Sequence, residues 1–296
     1  MSAYMFSQYG TVPLPHDILR KHIEQWISVQ ENNCIDKAFS AQFPWRETGL
    51  SQDYFLQRKL CIEGKNFLTG PRYMGGDINC PFIDIVASDS DVDKDVFRVI
   101  SKEWAEMKPQ LIRILTPGHQ KPLGTVDQLF YASPLSSASQ PQSDNSVKVR
   151  LATYAELSWC RQSLSEAYQN TWSTNPGLAG SLFAIDDDEL GSHISAGHAY
   201  VIMEYGVRVG LIICEEGKTV FLPSFRISEE FILPAFRGRS LASRAQRILC
   251  RHLYHTTQKV SLLTGSIIPQ NLASIKAAEK AGRTCILRYH FIPVGI

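Results

Sequence analysis

The 296-residue sequence holds no two cysteines in C-x-x-C spacing, no apolar run long enough to cross a bilayer and almost no net charge. Its seven cysteines (Cys34, Cys61, Cys80, Cys160, Cys214, Cys250 and Cys285) are odd in number and evenly spread. That pattern argues against a secreted disulfide framework and against a finger-type zinc site, so no metal is expected. Apolar runs such as Leu211–Cys214 fall far short of the ~20 residues that a membrane span needs. No early stretch combines a basic flank, a long apolar run and a small-residue cleavage site, so a reducing, cytoplasmic setting is expected. Thirty Lys and Arg against 29 Asp and Glu leave a formal charge of +1. That balance speaks against a dedicated nucleic-acid or membrane-surface binder. What is present in quantity is core: hydrophobic residues at 44% can fill two domains of ordinary size.

Residues 133–146 are mostly Ser, Pro, Gln and Asn, with almost nothing to bury, and read as a linker or as a long surface loop. Taken as a linker, they separate an α+β domain at 1–132 from an α/β domain at 147–296. In the first domain the spacing of Ile18, Leu19, Ile23, Trp26 and Ile27 predicts a helix over 14–29. Strands are expected at 66–69 and 81–87, a helix at 92–107 and a closing strand pair at 110–115 and 126–131. Gly70 and Gly75 have the spacing of a phosphate loop, but Gly76 and Asp77 stand where Lys and Ser or Thr are needed. A glycine-rich hairpin turn is the better reading. In the second domain the order is strand (147–152), helix (154–172), strands at 198–204, 208–215 and 227–233, helix (240–255), strand (260–267), helix (272–281) and a last strand pair within 284–294.

The informative stretch is Phe231–Ala242, where an apolar strand runs into Pro234, then a glycine-containing turn, then an amphipathic helix. Leu241, Ala245, Ile248 and Leu249 mark the inward face of that helix, with Arg244, Arg247 and Arg251 on another. Such a turn aims main-chain N–H groups outward at a helix N-terminus. With Arg237 and Arg239 beside them, these donors suit a di-anionic group such as a pyrophosphate. Many strand-to-helix turns contain Arg and Gly and bind nothing, so this stretch alone leaves the matter open.

A second segment bears on it. Leu262–Arg283 is a strand, then Asn271, then a helix with Ser274 and Ala278 in register, stopped by Gly282. Together the two segments resemble the GNAT superfamily of N-acetyltransferases. Arg237–Ala242 resembles the superfamily's acyl-CoA signature Q/R-x-x-G-x-G/A, approached through Pro234, Phe236, Arg237 and Gly238. Asn271, Ser274 and Gly282 are similar to its N-x-x-S/A…G pattern, and Phe291–Val294 to its last strand. The resemblance covers residues 147–296. It implies a mixed, mostly antiparallel sheet flanked by helices, opened into a V between the strands at 227–233 and 260–267. The first domain is then either a substrate-side domain or a degenerate copy of the same fold.

The resemblance also implies a site. Acetyl-CoA, or another acyl-CoA, would lie in the V as co-substrate. Its pantetheine would bond to the backbone at Phe231, Ile232 and Leu233, and Asn271 would meet the same arm. Its pyrophosphate would sit over Arg237, Gly238, Arg239, Ser240, Leu241 and Ala242. An amide near Ile232 or Leu233 would polarise the thioester carbonyl. Two departures stand out: Ser240 replaces the usual Gly, and Ala278 fills the slot where many members carry a tyrosine acid. An amine nucleophile with a pKa near 10.4 must lose a proton, at on the order of 4–5 kcal/mol at neutral pH. Glu229 and Glu230 precede the cofactor strand where many members place a base, and alternation lets only one face the opening. The alternative is that both are solvent-facing edge charges, with Ser228, Tyr200 and Tyr289 as substitutes for proton relay.

Other constellations are weaker. His252 and His255 have i, i+3 spacing without a third ligand, and read as a polar helix end. Asp186–Glu189 reads as a helix N-terminal cluster. The expected activity is acyl transfer to a primary amine of a small molecule or peptide by direct attack in a ternary complex, in a monomer or homodimer. The rivals are a non-catalytic acyl-CoA-binding or scaffold protein, and an acetyltransferase that modifies nucleic acid.

Overall fold

A computed structural model describes residues 1–121, 123–138, 146–256 and 260–295. In chain order the helices are α1 (Ser2–Tyr9), α2 (His16–Asn32), the single turns α3 (Lys37–Ser40) and α4 (Trp45–Thr48), α5 (Lys94–Glu103), α6 (Leu157–Thr174), α7 (Asp187–Ser195), α8 (Leu241–Thr256) and α9 (Leu272–Lys280). The strands are β1 (Arg58–Ile62), β2 (Lys65–Tyr73), β3 (Pro81–Ser88), β4 (Leu111–Pro117), β5 (Thr125–Pro134), β6 (Val147–Leu151), β7 (Ala199–Glu204), β8 (Val207–Thr219), β9 (Leu222–Ile232), β10 (Leu262–Ile267) and β11 (Thr284–Pro293). Among the described residues no helix is long and apolar enough to cross a membrane.

The chain folds as two units, one of residues 1–128 with 286–296, the other of residues 129–285. This differs from the division expected at 133–146. Ser133 and Pro134 end β5, where their backbone pairs with Leu263 and Leu262, and Leu135 is buried. Backbone pairing needs no apolar side chain, so a Ser- and Pro-rich composition did not disclose it. Residues 139–145 of that segment lie outside the described residues. The expected strand pair at 284–294 is the single strand β11, which pairs with β4 in the first unit. Strands β4 and β5, expected as partners, pair elsewhere: β4 with β3 and β11, and residues 129–134 of β5 with β10.

In the first unit β1, β2 and β3 form an antiparallel meander. The expected glycine-rich turn joins β2 to β3, with Gly75 and Gly76 both at positive φ. Helix α5 then returns the chain so that β4 runs parallel to β3. Val96 and Ile100, one helical turn apart, bury against Phe67, Ile83 and Ile112 together with Trp104. The β3–β4 pairing stops at Ile85 and Ile114, although both strands continue. Beyond that point a cavity of about 200 Å³ opens, lined in part by Tyr4, Tyr9, Ser88, Asp91 and Thr116.

The second unit repeats this order on a larger scale. Strands β6, β7, β8 and β9 are antiparallel, α8 crosses over, and β10 lies parallel to β9 with β5 on its other side. One face carries α6 and α7 over Val201, Leu211, Ile213 and Phe231. The other carries α8, whose Leu241, Ala245, Leu249 and Leu253 recur every fourth residue and pack on Ile202, Ile212 and Ile232. The Asp186–Glu189 run opens α7 as expected, the Asp186 carboxylate accepting from the Glu189 amide.

Candidate active site

Strands β9 and β10 are paired only at Phe225–Leu263 and Arg226–Thr264. Beyond these pairs β10 stays on β5 while β9 stays on β8, so the two part into the expected V. A bulge makes them part. Ile213 faces Glu229 but Cys214 faces Ile227, so Ser228 is an extra, exposed residue that bends β9 away. The base of the V is fixed by a buried cluster of hydroxyls. Thr264 Oγ1 lies 2.8 Å from both Ser224 Oγ and Thr219 Oγ1.

The bulge also sorts the two glutamates. Glu229 falls on the α6 face and Glu230 on the α8 face, and neither is a solvent-facing edge charge. Glu229 is buried, with Tyr168 of α6 donating to its Oε2 at 2.7 Å and the Glu230 amide to its Oε1 at 3.0 Å. Burial pushes its pKa up to about 7, against these donors and an amide from Ile185, which favour the anion. Burial and the neighbouring carboxylate raise the Tyr168 phenol well above its ordinary range, so it serves as a donor. Glu230 takes 2.6 Å from Gln246 Nε2, and Gln246 Oε1 in turn accepts from Arg283 Nε at 3.1 Å. Burial raises the Glu230 carboxyl, and the Arg283 guanidinium opposes it. Arg283 reaches this position because residue 265 is glycine: a Cβ there would lie 2.7 Å from its Nη1. Glu230 Oε1 and Arg283 Nη1 are enclosed and have no hydrogen-bond partner among the described residues.

The backbone at the end of β9 divides its groups by register. The Leu233 amide donates to Val209 O, which makes Val209–Leu233 and Leu211–Phe231 the bonded pairs with β8. Ile232 therefore points its N–H and C=O to the other side, into the V. Its carbonyl accepts from Arg237 Nε at 3.0 Å, which leaves the N–H. Of the three residues expected to offer backbone there, Ile232 alone does so, through one donor.

The turn that follows has the expected amide cradle. Gly238 and Ser240 both have positive φ, +83° and +57°. Among the described residues the main-chain amides from Gly238 to Ser243 meet no acceptor, and all precede the first bonded turn of α8. Ser240 thus takes the left-handed conformation that the signature glycine would take, at a cost of about 1–2 kcal/mol. Lys280 Nζ lies 3.3 Å from Ser240 Oγ, and Arg239 is held by Glu204 at 3.2 Å. Arg237 is a correction to the expected phosphate ligands. Its guanidinium is spent on α6, donating to Asn170 Oδ1, Ala167 O and Thr171 Oγ1. It braces the helix that carries Tyr168 against the end of β9.

Asn271 caps α9, its Oδ1 accepting from the Ser274 amide at 3.2 Å. Ala278 is fully buried against Tyr131 and Ile267, and the Tyr131 hydroxyl donates to Glu279 Oε1 at 3.1 Å. Tyr200 is buried beside His252, and Tyr289 belongs to the first unit, under the Arg113 guanidinium. His252 and His255 are exposed near the end of α8. Sequence reasoning missed Tyr168, Gln246 and Arg283. Tyr168 carried a trace, since Cys160, Leu164, Ala167 and Tyr168 share the apolar face of α6.

No family model matches the chain, and no curated protein sequence is significantly similar to it. Solved structures do resemble it. One is an acetyltransferase of the GNAT family from Colwellia psychrerythraea, with 12% identity over 87% of this chain and 94% of that one and a TM-score of 0.48. A GCN5-related N-acetyltransferase from Sphaerobacter thermophilus has 13% identity over 79% of each chain and a TM-score of 0.41. An acetyltransferase from Salmonella typhimurium that modifies the N-terminal serine of ribosomal protein L7/L12 has 14% identity over 50% of this chain and 96% of that one, with a TM-score of 0.37.

Proposed function

We propose that the second unit is an acyl-CoA-dependent N-acyltransferase that passes an acyl group, acetyl in the simplest case, to a primary amine of a small molecule or peptide. The observation that carries this reading is the pairing of two features on one strand. An amide cradle suited to a diphosphate lies at the end of β9, and a buried carboxyl poised near neutrality lies at its bend. The acyl-CoA diphosphate would rest on the amides of Gly238–Ser243, with Lys280 and Arg239 alongside. The chain of the cofactor would run into the V past the Ile232 N–H, which suits a developing oxyanion, and toward the unpartnered Arg283 Nη1. Glu229, ionised above about pH 7, would take the amine proton as the C–N bond forms and the C–S bond breaks. The thiolate released is a fair leaving group, so the buried Ala278 need not stop turnover.

That same Ala278 favours the second reading, a non-catalytic acyl-CoA-binding or scaffold protein. Calorimetric titration of the full chain with acetyl-CoA, followed by thiol release over a panel of amines, separates the two. Saturation at one equivalent with amine-dependent release is the result expected for the enzyme. Saturation without release across the panel supports the scaffold. Absence of any binding removes both.

A further inference from the structure

A second cluster of functional groups lies in this unit on the Glu229 face of the sheet. His193 sits in the last turn of α7, His198 between α7 and β7, and Glu215 in β8. Their side chains converge. His193 Nδ1 and His198 Nδ1 each lie 3.9 Å from Glu215 Oε2, and one ligand atom from each of the three falls within 4.8 Å of the others. We propose that these three side chains form a binding site for one divalent cation of the zinc class.

The backbone holds the three in place without help from a ligand. The His198 amide donates to His193 O at 2.9 Å, closing the turn that Gly197 permits at φ +73°. The Cys214 amide donates to His198 O at 2.8 Å, which fixes Glu215, the next residue, beside the imidazoles. One group behind the cluster, Arg226, orients the carboxylate as the partner of a metal ligand does. Arg226 holds Glu215 Oε1 at 2.6 Å, leaving Oε2 turned to the histidines. Glu189 Oε1 lies 3.7 Å from His193 Nε2, the other ring nitrogen, as a charge nearby rather than a hydrogen-bond partner. The side chains are 12%, 39% and 23% exposed for His193, His198 and Glu215, open enough for entry and sheltered enough to fix their rotamers.

Two imidazole nitrogens and one carboxylate oxygen select a borderline ion such as Zn²⁺ over Mg²⁺ or Ca²⁺, which prefer oxygen, and over Cu⁺, which prefers sulfur. Ligands on tetrahedral zinc stand about 3.3 Å apart at bonds of about 2.0–2.1 Å. Side-chain shifts of about half an ångström at the two Glu215 contacts, and of no more than about 1.5 Å between the imidazoles, would therefore close the site. Two glutamates and one arginine around the imidazoles leave a net negative setting, and three protein ligands leave a position for water. The proposal does not depend on the acyltransferase reading.

The test is calorimetric titration of the chelator-treated 296-residue chain with ZnCl₂, repeated with CoCl₂ and read by visible absorption. One ion per chain is expected, with affinity lowered more than about tenfold in His198→Ala and in Glu215→Gln and unchanged in the double variant His252→Ala/His255→Ala. Circular dichroism checks that each variant is folded; His198, the most exposed of the three, is the variant least able to disturb the core. Lack of saturable binding by the wild type, equal affinity in folded His198→Ala, or a thiolate charge-transfer band with cobalt would each overturn the site.

Discussion

Replacing Glu229 by Gln should stabilise the protein above neutral pH and, on the proposed role of Glu229 as base, remove most of the acyl transfer. The carboxyl is raised from its ordinary 4.5 to about 7, chiefly by burial. In the folded state its ionised form is therefore disfavoured by on the order of 3 kcal/mol. The sign follows from linkage. Below about pH 4.5 the group is protonated folded and unfolded, and its protonation adds no pH dependence. Between about 4.5 and 7 the unfolded chain loses the proton while the folded chain keeps it, so stability falls as pH rises. Above about 7 both are ionised and the loss is complete. The amide introduced by Glu229→Gln does not titrate, and it can keep both main contacts. Its Oε1 accepts from the Glu230 amide, while its Nε2 donates to a Tyr168 hydroxyl turned to accept. The stability difference between variant and wild type should thus be near zero at pH 4.5 and grow to about 3 kcal/mol by pH 8. Glu230 is present in both proteins, and its repulsion of the Glu229 carboxylate is one of the smaller contributions to the rise. Urea unfolding at a series of pH values reads the difference, and on the proposed role of Glu229 kcat/KM should fall by about 10²–10⁴. Parallel stability curves from pH 5 to 8 would refute the burial argument, whatever the activity.

Tyr168→Phe removes a donor that favours the Glu229 anion, so on the proposed role of Glu229 the acid limb of kcat/KM should lie at higher pH than in the wild type; an unmoved limb would separate the pair functionally. Gly238→Ala forces a left-handed alanine at about 1–2 kcal/mol and should weaken acetyl-CoA binding about tenfold by calorimetry. Nothing lies within 4 Å of the added Cβ, so the effect would come from backbone conformation alone. Arg237→Lys should lower stability by about 1 kcal/mol, discounted for exposure, and leave coenzyme affinity nearly unchanged. Weaker binding at unchanged stability would return Arg237 to the phosphate.

What was legible in the sequence is what depends on neighbours in the chain. The strand, turn and helix across Phe231–Ala242 and the cap and stop of α9 are set by Gly238, Asn271 and Gly282, each acting within a few residues. The amide cradle was legible for the same reason. The packing of the Arg237 side chain and the choice between Glu229 and Glu230 were not, because the partners are far along the chain: Ala167 and Asn170 for Arg237, Tyr168 for Glu229. The burial that tunes Glu229 comes from packing α6 and α7 on the sheet, and no local pattern encodes it. The assignment of β11 to the first unit was hidden likewise, since a strand's sequence states which faces are apolar but not which strand it joins.

The two units separate fold from chemistry. Each has parallel strands that part beyond a short paired segment, with a helix between them in sequence. In the first unit the residues before that helix are Asp89, Ser90, Asp91, Val92 and Asp93. The Asp93 carboxylate itself takes the amides of Asp95 and Val96 at the start of α5. The helix N-terminus there is already satisfied by an anion of its own chain, and Asp91 adds like charge at the cavity wall. A diphosphate arriving there would meet occupied donors and repulsion. In the second unit Gly238 and Ser240 leave the corresponding amides free, with Arg239 and Lys280 beside them. The opening between strands is therefore a common consequence of topology, and the turn chemistry that follows it decides which opening offers free amides to an anion.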